Sequence, residues 1–215
     1  MPAAGDRGGG FLMRLHFSPA SPYARKVLVV AHEAGLEAHV QQVPAAVSPV
    51  TVASDVVDDN PLGKIPCLVT DEGEPLYDSR VICAYLDSRH SGHKLFPHEG
   101  PTRWIALRRE ALADGICDAS ILCRYETFLR PKDRQWQDWI DGQTQKVHRA
   151  LDRLEQEVET FPVLPDIGQI AVGVALAYRD FRFGYDNWRA SRPALAAWYE
   201  GFAQRPSMQL TVPVG

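Results

Sequence analysis

The apolar periodicity of this chain changes once, near Ser91, and that change constrains the fold more than any other feature. Before it, short alternating runs and helical stripes follow one another. After it, every apolar pattern is helical to the end of the chain. Met13-Arg-Leu-His-Phe17 alternates apolar and polar residues, as a half-buried strand does. Ser21-Pro22 then opens a helix, with serine at the N-cap and proline at the first helical position. Tyr23, Ala24, Val27, Leu28, Ala31 and Ala34 recur at helical spacing, and Gly35 is suited to the C-cap. A second strand is expected over 38–43, and 44–60 reads as a loop with a short helix. Ile65 to Thr70, the turn at Asp71-Glu-Gly-Glu74, and Pro75 to Tyr77 read as a hairpin. Asp78-Ser79 caps a helix carrying Val81, Ile82, Tyr85 and Leu86 on one side. The order β-α-β-α-β-β-α predicts a right-handed βαβ unit, a hairpin and a closing helix in one layered domain.

Ser91 to Pro101, with Gly92, Pro97 and Gly100, reads as a linker. Trp104, Ile105, Leu107, Ala111, Leu112 and Ile116 make a helical stripe that continues towards Tyr125 and Leu129, where Pro131 stops it. Trp136, Trp139, Ile140, Val147, Leu151, Leu154 and Val158 form a second stripe. Asp166-Ile-Gly-Gln169 is a capping box. The helix it opens is apolar nearly all round and is therefore expected at the centre of the helical half. A last helix is expected over 193–202. The organisation is then a leader at 1–12, an α/β domain at 13–90, a linker at 91–100 and an all-helical domain at 101–215. The five tryptophans are expected as core and interface aromatics.

Charge and composition exclude several functions. A net charge of -4 over 215 residues does not supply the basic face a nucleic-acid binder needs. No apolar run approaches the about 18 residues of a membrane span. The Gly- and Ala-rich first residues lack an apolar signal core, so a cytoplasmic protein is expected. Cys67, Cys83, Cys117 and Cys123 form no C-x-x-C pair and read as buried, reduced thiols. His90, His93 and His98 lack carboxylates or thiols at ligand spacing, so no metal is expected.

Three segments carry a resemblance: Ser18-Pro-Ala-Ser-Pro-Tyr-Ala-Arg-Lys-Val27, Asn60-Pro-Leu-Gly-Lys-Ile-Pro66 and Leu76-Tyr-Asp-Ser-Arg-Val81. In this order, ahead of an all-helical half with its capping box, they resemble glutathione transferases of the bacterial, serine-type branch. The resemblance implies a thioredoxin-like domain followed by a helical bundle, a homodimer, glutathione as co-substrate and a small electrophile as its partner.

The frame Ser21-Pro22-Tyr23-Ala24 stands where glutaredoxin-like relatives read Cys-Pro-Tyr-Cys. Without either sulfur, this position cannot form the mixed disulfide of thiol exchange. A serine hydroxyl can instead donate to the sulfur of bound glutathione, beside the positive end of a helix. A free thiol titrates near pKa 8.5, at about neutral pH mostly protonated. Lowering that value by about two units takes about 2.7 kcal/mol of preference for the anion, the order of one charged hydrogen bond plus a helix N-terminus. Ser18 is the alternative donor, and Tyr23 reads as a packing residue.

The resemblance further implies that Ile65-Pro66 is a cis peptide and that the main chain of Ile65 pairs with the cysteinyl part of glutathione as an added strand, with Asn60, Pro61 and Gly63 shaping the loop. Ser79 at the helix start would grip the γ-glutamyl carboxylate, with Asp78 nearer the amine. The glycyl carboxylate has no obvious partner: 44–60 holds no basic residue, and the candidates are His39, Gln41, Gln42 and Lys64. For the second substrate, Ala113, Asp114, Ile116, Cys117 and Tyr125 lie on the first helix of the helical half, with Arg108 and Arg109 a turn earlier; the resemblance does not fix which of them face the cleft, and most read as core or surface. Two other readings stand beside this one. One is a binding or regulatory protein that kept the fold without the chemistry. The other is a glutathione-dependent reductase or dehalogenase acting through Cys67.

Overall fold

The computed structural model describes residues 12–51 and 53–215, so the expected leader lies, apart from Leu12, outside the described residues. The N-terminal part carries β1 (Met13–Phe17), α1 (Pro22–Glu33), β2 (Val40–Pro44), α2 (Ser54–Asp59), β3 (Cys67–Val69), β4 (Pro75–Leu76) and α3 (Ser79–Ser88). The four strands form one mixed sheet in the order β2-β1-β3-β4. β2 runs parallel to β1, while β3 and then β4 are antiparallel to their neighbours. Met13 and Leu15 of β1 and Leu68 of β3 point into a core shared with Val27, Val30 and Ala31 of α1 and Ile82 and Leu86 of α3. The 12 residues of α1 begin and end as their sequence dictates. Ser21 caps the start, and Gly35 at φ 67 lets Leu36 N–H return to the Ala31 carbonyl at 2.8 Å.

The helical part follows: α4 (Gly100–Phe128), α5 (Gln137–Glu157), α6 (Ile167–Phe183), α7 (Pro193–Phe202) and the short α8 (Pro206–Gln209). α6 is the central helix, buried at every position from Ile167 to Arg179. Its capping box forms as expected: Asp166 Oδ1 accepts from Gln169 N at 2.9 Å, and Gln169 Oε1 accepts from Asp166 N at 3.1 Å. α6 lies close against α4, and glycine is required there. A Cβ on Gly168 would stand 2.7 Å from the Ala106 carbonyl oxygen.

Three expectations change. β2 starts at Val40 and ends at Pro44, because Glu37–His39 closes into a 3-10 turn where the strand was expected to begin. α4 does not bury its large apolar stripe. Its inner face is Ala106, Ala113, Ile116, Cys117, Ala119, Ser120 and Cys123, while Trp104 is 68% exposed and Ile105 is exposed beside it. Small side chains let α4 approach α6, so bulk is displaced outward. The tryptophans also divide: Trp188 is buried and Trp198 half-buried, but Trp104, Trp136 and Trp139 are exposed and belong to no core. All four cysteines are buried and free.

Candidate functional site

Register brings the three motifs to one end of the sheet. His16 pairs with Cys67, so the next position on each strand sets Phe17 opposite Pro66. Leu68 pairs with Leu76, which carries β4 towards the same end before it turns into α3. Ser21, Ile65-Pro66 and Asp78-Ser79 therefore share the edge where β1 stops and α1 and α3 begin.

Ser21 sits at the N-cap with φ -83 and ψ 121. Its Oγ accepts from Ala24 N at 3.3 Å, and its own amide donates to Ser18 O at 3.0 Å. The hydroxyl acts only as acceptor within the protein, so its proton is uncommitted among the described residues. Ser18 Oγ accepts from Ala20 N at 3.4 Å, a weaker local turn. The Tyr23 phenol donates to Asp118 of α4. Burial, then the neighbouring Cys117 and Asp118, push its pKa far up, so it stays a neutral interdomain packing group.

Ile65-Pro66 is cis. Asn60, buried, builds the loop ahead of it: its Nδ2 donates to Lys64 O at 2.8 Å, and its Oδ1 accepts from Leu62 N at 3.1 Å. Gly63 at φ 60 completes the turn, its amide returning to Asn60 O at 2.8 Å. Neither the N–H nor the C=O of Ile65 has a partner among the described residues. Asp78, not Ser79, is the cap of α3: its Oδ1 accepts from Arg80 N at 3.0 Å. Ser79 is the first helical residue, buried, and its hydroxyl has no partner among the described residues. Lys64 is exposed beside this edge. His39 lies at the opposite end of the sheet, before β2, and Gln41 and Gln42 are exposed along that edge strand.

Two linkages were not legible in the sequence. His16 Nε2 meets Asp59 Oδ2 at 2.7 Å, tying β1 to α2 just ahead of the Asn60 loop. Deeper, Lys26 of α1 is 1% exposed and places Nζ 3.0 Å from Glu110 Oε1 and 2.8 and 2.9 Å from the two Asp114 oxygens. Arg80 Nε joins Asp114 at 2.7 Å. Burial opposes the lysine's charge, but Cys83 and the two acids outweigh it and hold the ammonium firmly protonated. The cluster fixes α1 and the start of α3 against α4. Its only sequence signal is a lysine within an apolar helix and two acids one turn apart on α4.

Most of the α4 candidates for the second substrate are core or engaged elsewhere, as expected. Asp114 is taken up by this cluster, and Ala113, Ile116 and Cys117 are core. Arg108 makes a bidentate pair with Glu157, both contacts at 2.8 Å, and Arg109 reaches Glu157 and Thr160. Of these candidates only Tyr125 and the salt-bridged Arg108 are not buried. Cys67 is buried, and desolvation, reinforced by Asp59, pushes its thiol up to about 11, which leaves it neutral and poorly nucleophilic. Among the described residues no group of His, Cys, Asp and Glu could hold a metal ion.

The sequence matches the N-terminal domain of glutathione S-transferases over residues 20–89 and the C-terminal domain of the same proteins over 137–201. It is also 32% identical, over 206 residues, to the uncharacterized GST-like protein YibF of Escherichia coli, covering 94% of this chain and 98% of YibF. The chain belongs to the glutathione S-transferase family. Its structure resembles that of a glutathione transferase family member from Pseudomonas fluorescens Pf-5 with bound glutathione, at a TM-score of 0.93 and 48% identity, covering 94% of this chain and all of that one. It also resembles a glutathione S-transferase from Methylobacillus flagellatus with glutathione bound, at a TM-score of 0.85 and 39% identity over the same 94% of this chain.

Proposed function

We propose that this glutathione S-transferase family member is an enzyme that binds glutathione at the Ser21 edge and holds its sulfur as a thiolate for attack on a small electrophile. One observation carries the reading: three sets of unused hydrogen-bonding groups meet at one end of the sheet, and they match an extended γ-glutamyl tripeptide. The free N–H and C=O of Ile65 suit main-chain pairing with the cysteinyl unit. The unpartnered Ser79 hydroxyl and the first amides of α3 suit the γ-glutamyl carboxylate, with Asp78 beside the amine. The uncommitted proton of Ser21 suits the sulfur, next to the positive end of α1. Lys64 is the basic side chain best placed for the glycyl carboxylate. The tripeptide supplies the nucleophilic sulfur; the protein supplies position and stabilisation of the anion.

The exposed Trp104 and Ile105, beside a cavity of about 360 Å³ lined by Val81, Ala84, Phe96 and Leu107, are the face we assign to a homodimer. Four free, buried cysteines suit the reducing cytoplasm, and no helix among the described residues is long and apolar enough to cross a membrane.

Steady-state kinetics with glutathione and a neutral nitroaryl chloride test the reading. Ser21→Ala is expected to lower kcat/KM by about 10- to 100-fold, the loss of one hydrogen bond to a charged group. Unchanged kcat/KM would remove Ser21 from the reaction. No binding heat with millimolar glutathione would leave a scaffold without the chemistry.

A further inference from the structure

α2 is the least self-supporting helix of the N-terminal part, and it carries the loop that presents Ile65. It has six residues, no side-chain cap at its start and one buried side chain, Val56. A helix this short is not stable on its own, so its place is set by what it touches. Among the described residues its side chains reach the rest of the fold by polar contacts only through Asp59, its last residue. Asp59 Oδ2 meets His16 Nε2 at 2.7 Å and, more loosely, the half-exposed Arg14 Nη2 at 3.9 Å. Asn60 follows directly. Its amide donates to Val56 O at 2.7 Å, and its side chain closes the turn on Lys64 O and Leu62 N. A continuous set of bonds thus runs from His16 through Asp59 and Asn60 to Lys64 and the main chain of Ile65.

His16 is a costly residue for its place. β1 is an interior strand of the sheet, and His16 is paired with Val43 on one side and Cys67 on the other. Residues paired in this way share a face. The imidazole is 2% exposed, and its Nδ1 has no hydrogen-bond partner among the described residues. Packing alone calls for an aliphatic side chain between a valine and a cysteine, because a buried ring nitrogen without a partner costs stability. What an imidazole supplies there, and an aliphatic group cannot, is the bond to Asp59. An interior strand is also a rigid base from which to hold a weak helix. A residue that breaks the local packing rule is expected where it serves a site.

We propose that His16 is a positioning residue for the tripeptide: through Asp59 it holds the 60–66 loop, and so keeps the Ile65 main chain and Lys64 in place for the cysteinyl and glycyl units. The inference rests on the reading above that glutathione lies along the Ser21 edge. His16 touches neither the sulfur nor the γ-glutamyl end, which belong to α1 and α3. Its loss therefore weakens the hold on the cysteinyl-glycyl half of the thiol substrate and leaves the ionisation of the sulfur to Ser21.

The test uses the full chain, a neutral nitroaryl chloride, and two thiols: glutathione, and γ-glutamylcysteine, which lacks the glycyl unit. The variants are His16→Leu, Asp59→Ala and the double variant. Each is expected to raise KM for glutathione by about tenfold, the loss of one hydrogen bond to a charged group, with kcat within about twofold. KM for γ-glutamylcysteine is expected to rise less, so the preference for the tripeptide shrinks. The double variant is expected to match the single ones, since both remove the same bond, and Asp59→Asn, which keeps an acceptor for Nε2, to recover part of the loss. The thermal midpoint of His16→Leu is expected to stay level or rise. Asp59→Ala breaks the bond from the more exposed side and gives the same reading if His16→Leu does not fold. Unchanged KM for glutathione in Asp59→Ala, an equal rise in KM for both thiols, or single effects that multiply in the double variant would overturn the inference. Wild-type turnover with glutathione under any of those results would leave the transferase reading standing. Absence of wild-type turnover with either thiol would sink both.

Discussion

Lys26→Met removes the cation at the centre of the buried cluster, and the structure sets the size of the effect. The ammonium has three contacts of 2.8 to 3.0 Å with Glu110 and Asp114. Asp114 keeps Arg80 at 2.7 Å after the change, but Glu110 keeps no described partner. One buried carboxylate is then uncompensated, which costs about 3–5 kcal/mol when a partner of a buried pair is removed. Glu110 limits the loss by taking up a proton. Burial already holds its pKa above the ordinary value, and Lys26 is the chief group pulling it down. Without Lys26 it rises further. The folded variant then binds a proton that the unfolded chain has released, so its relative stability is present at acid pH and is lost as pH climbs through the raised value. The expected result at neutral pH is a loss of about 3 kcal/mol, or about 6–12 °C in Tm for a chain of this size, shrinking as the pH is lowered towards 5. Thermal unfolding across that pH range, followed by circular dichroism, reads it. The double variant Lys26→Met/Glu110→Leu is expected to regain most of the stability, since replacing both partners by apolar groups is nearly neutral. A loss below about 1 kcal/mol, or a deficit that grows towards acid pH, would refute the reasoning.

Gly168→Ala forces a methyl to within 2.8 Å of Arg109 Cβ as well as against the Ala106 carbonyl, and is expected to cost about 1–3 kcal/mol, seen as a lower midpoint in urea. Ser79→Ala is expected to weaken glutathione binding by about tenfold in calorimetry, with kcat little changed, because the hydroxyl serves binding and not the sulfur. Cys67→Ala is expected to leave kcat/KM and its pH profile unchanged within about twofold, since a thiol held near 11 supplies no thiolate at neutral pH.

What could be read from the sequence was what local chemistry determines. Ser21-Pro22, Gly35 and the Asp166–Gln169 box mark helix ends by satisfying their own backbone, so they were legible without any tertiary knowledge. The uniform apolarity of Ile170 to Tyr178 marked the buried helix for the same reason. Long-range pairing was hidden. Lys26 meets acids 84 and 88 positions away, and nothing in an apolar helix announces which carboxylates will come to it. α4 misled because its inward face is chosen for closeness to α6, so Ala, Ser and Cys are buried while Trp104 is not. The expectation that most of the α4 candidates are core or surface holds for Ile116 and Cys117, which point inward with the small residues. The short helix expected within 44–60 is α2; with only one buried residue, Val56, and held from outside by His16 reaching Asp59, its own pattern was too weak to fix its bounds.

The account stands or falls on the state of one sulfur. Glutathione bound to the full chain can be titrated by the ultraviolet absorbance of its thiolate, with Ser21→Ala as the comparison. The account predicts that the bound thiol ionises about two pH units below the free value near 8.5, and that the alanine variant returns most of that shift. A bound thiol that titrates like free glutathione, or a depressed value that the alanine variant keeps, would contradict it.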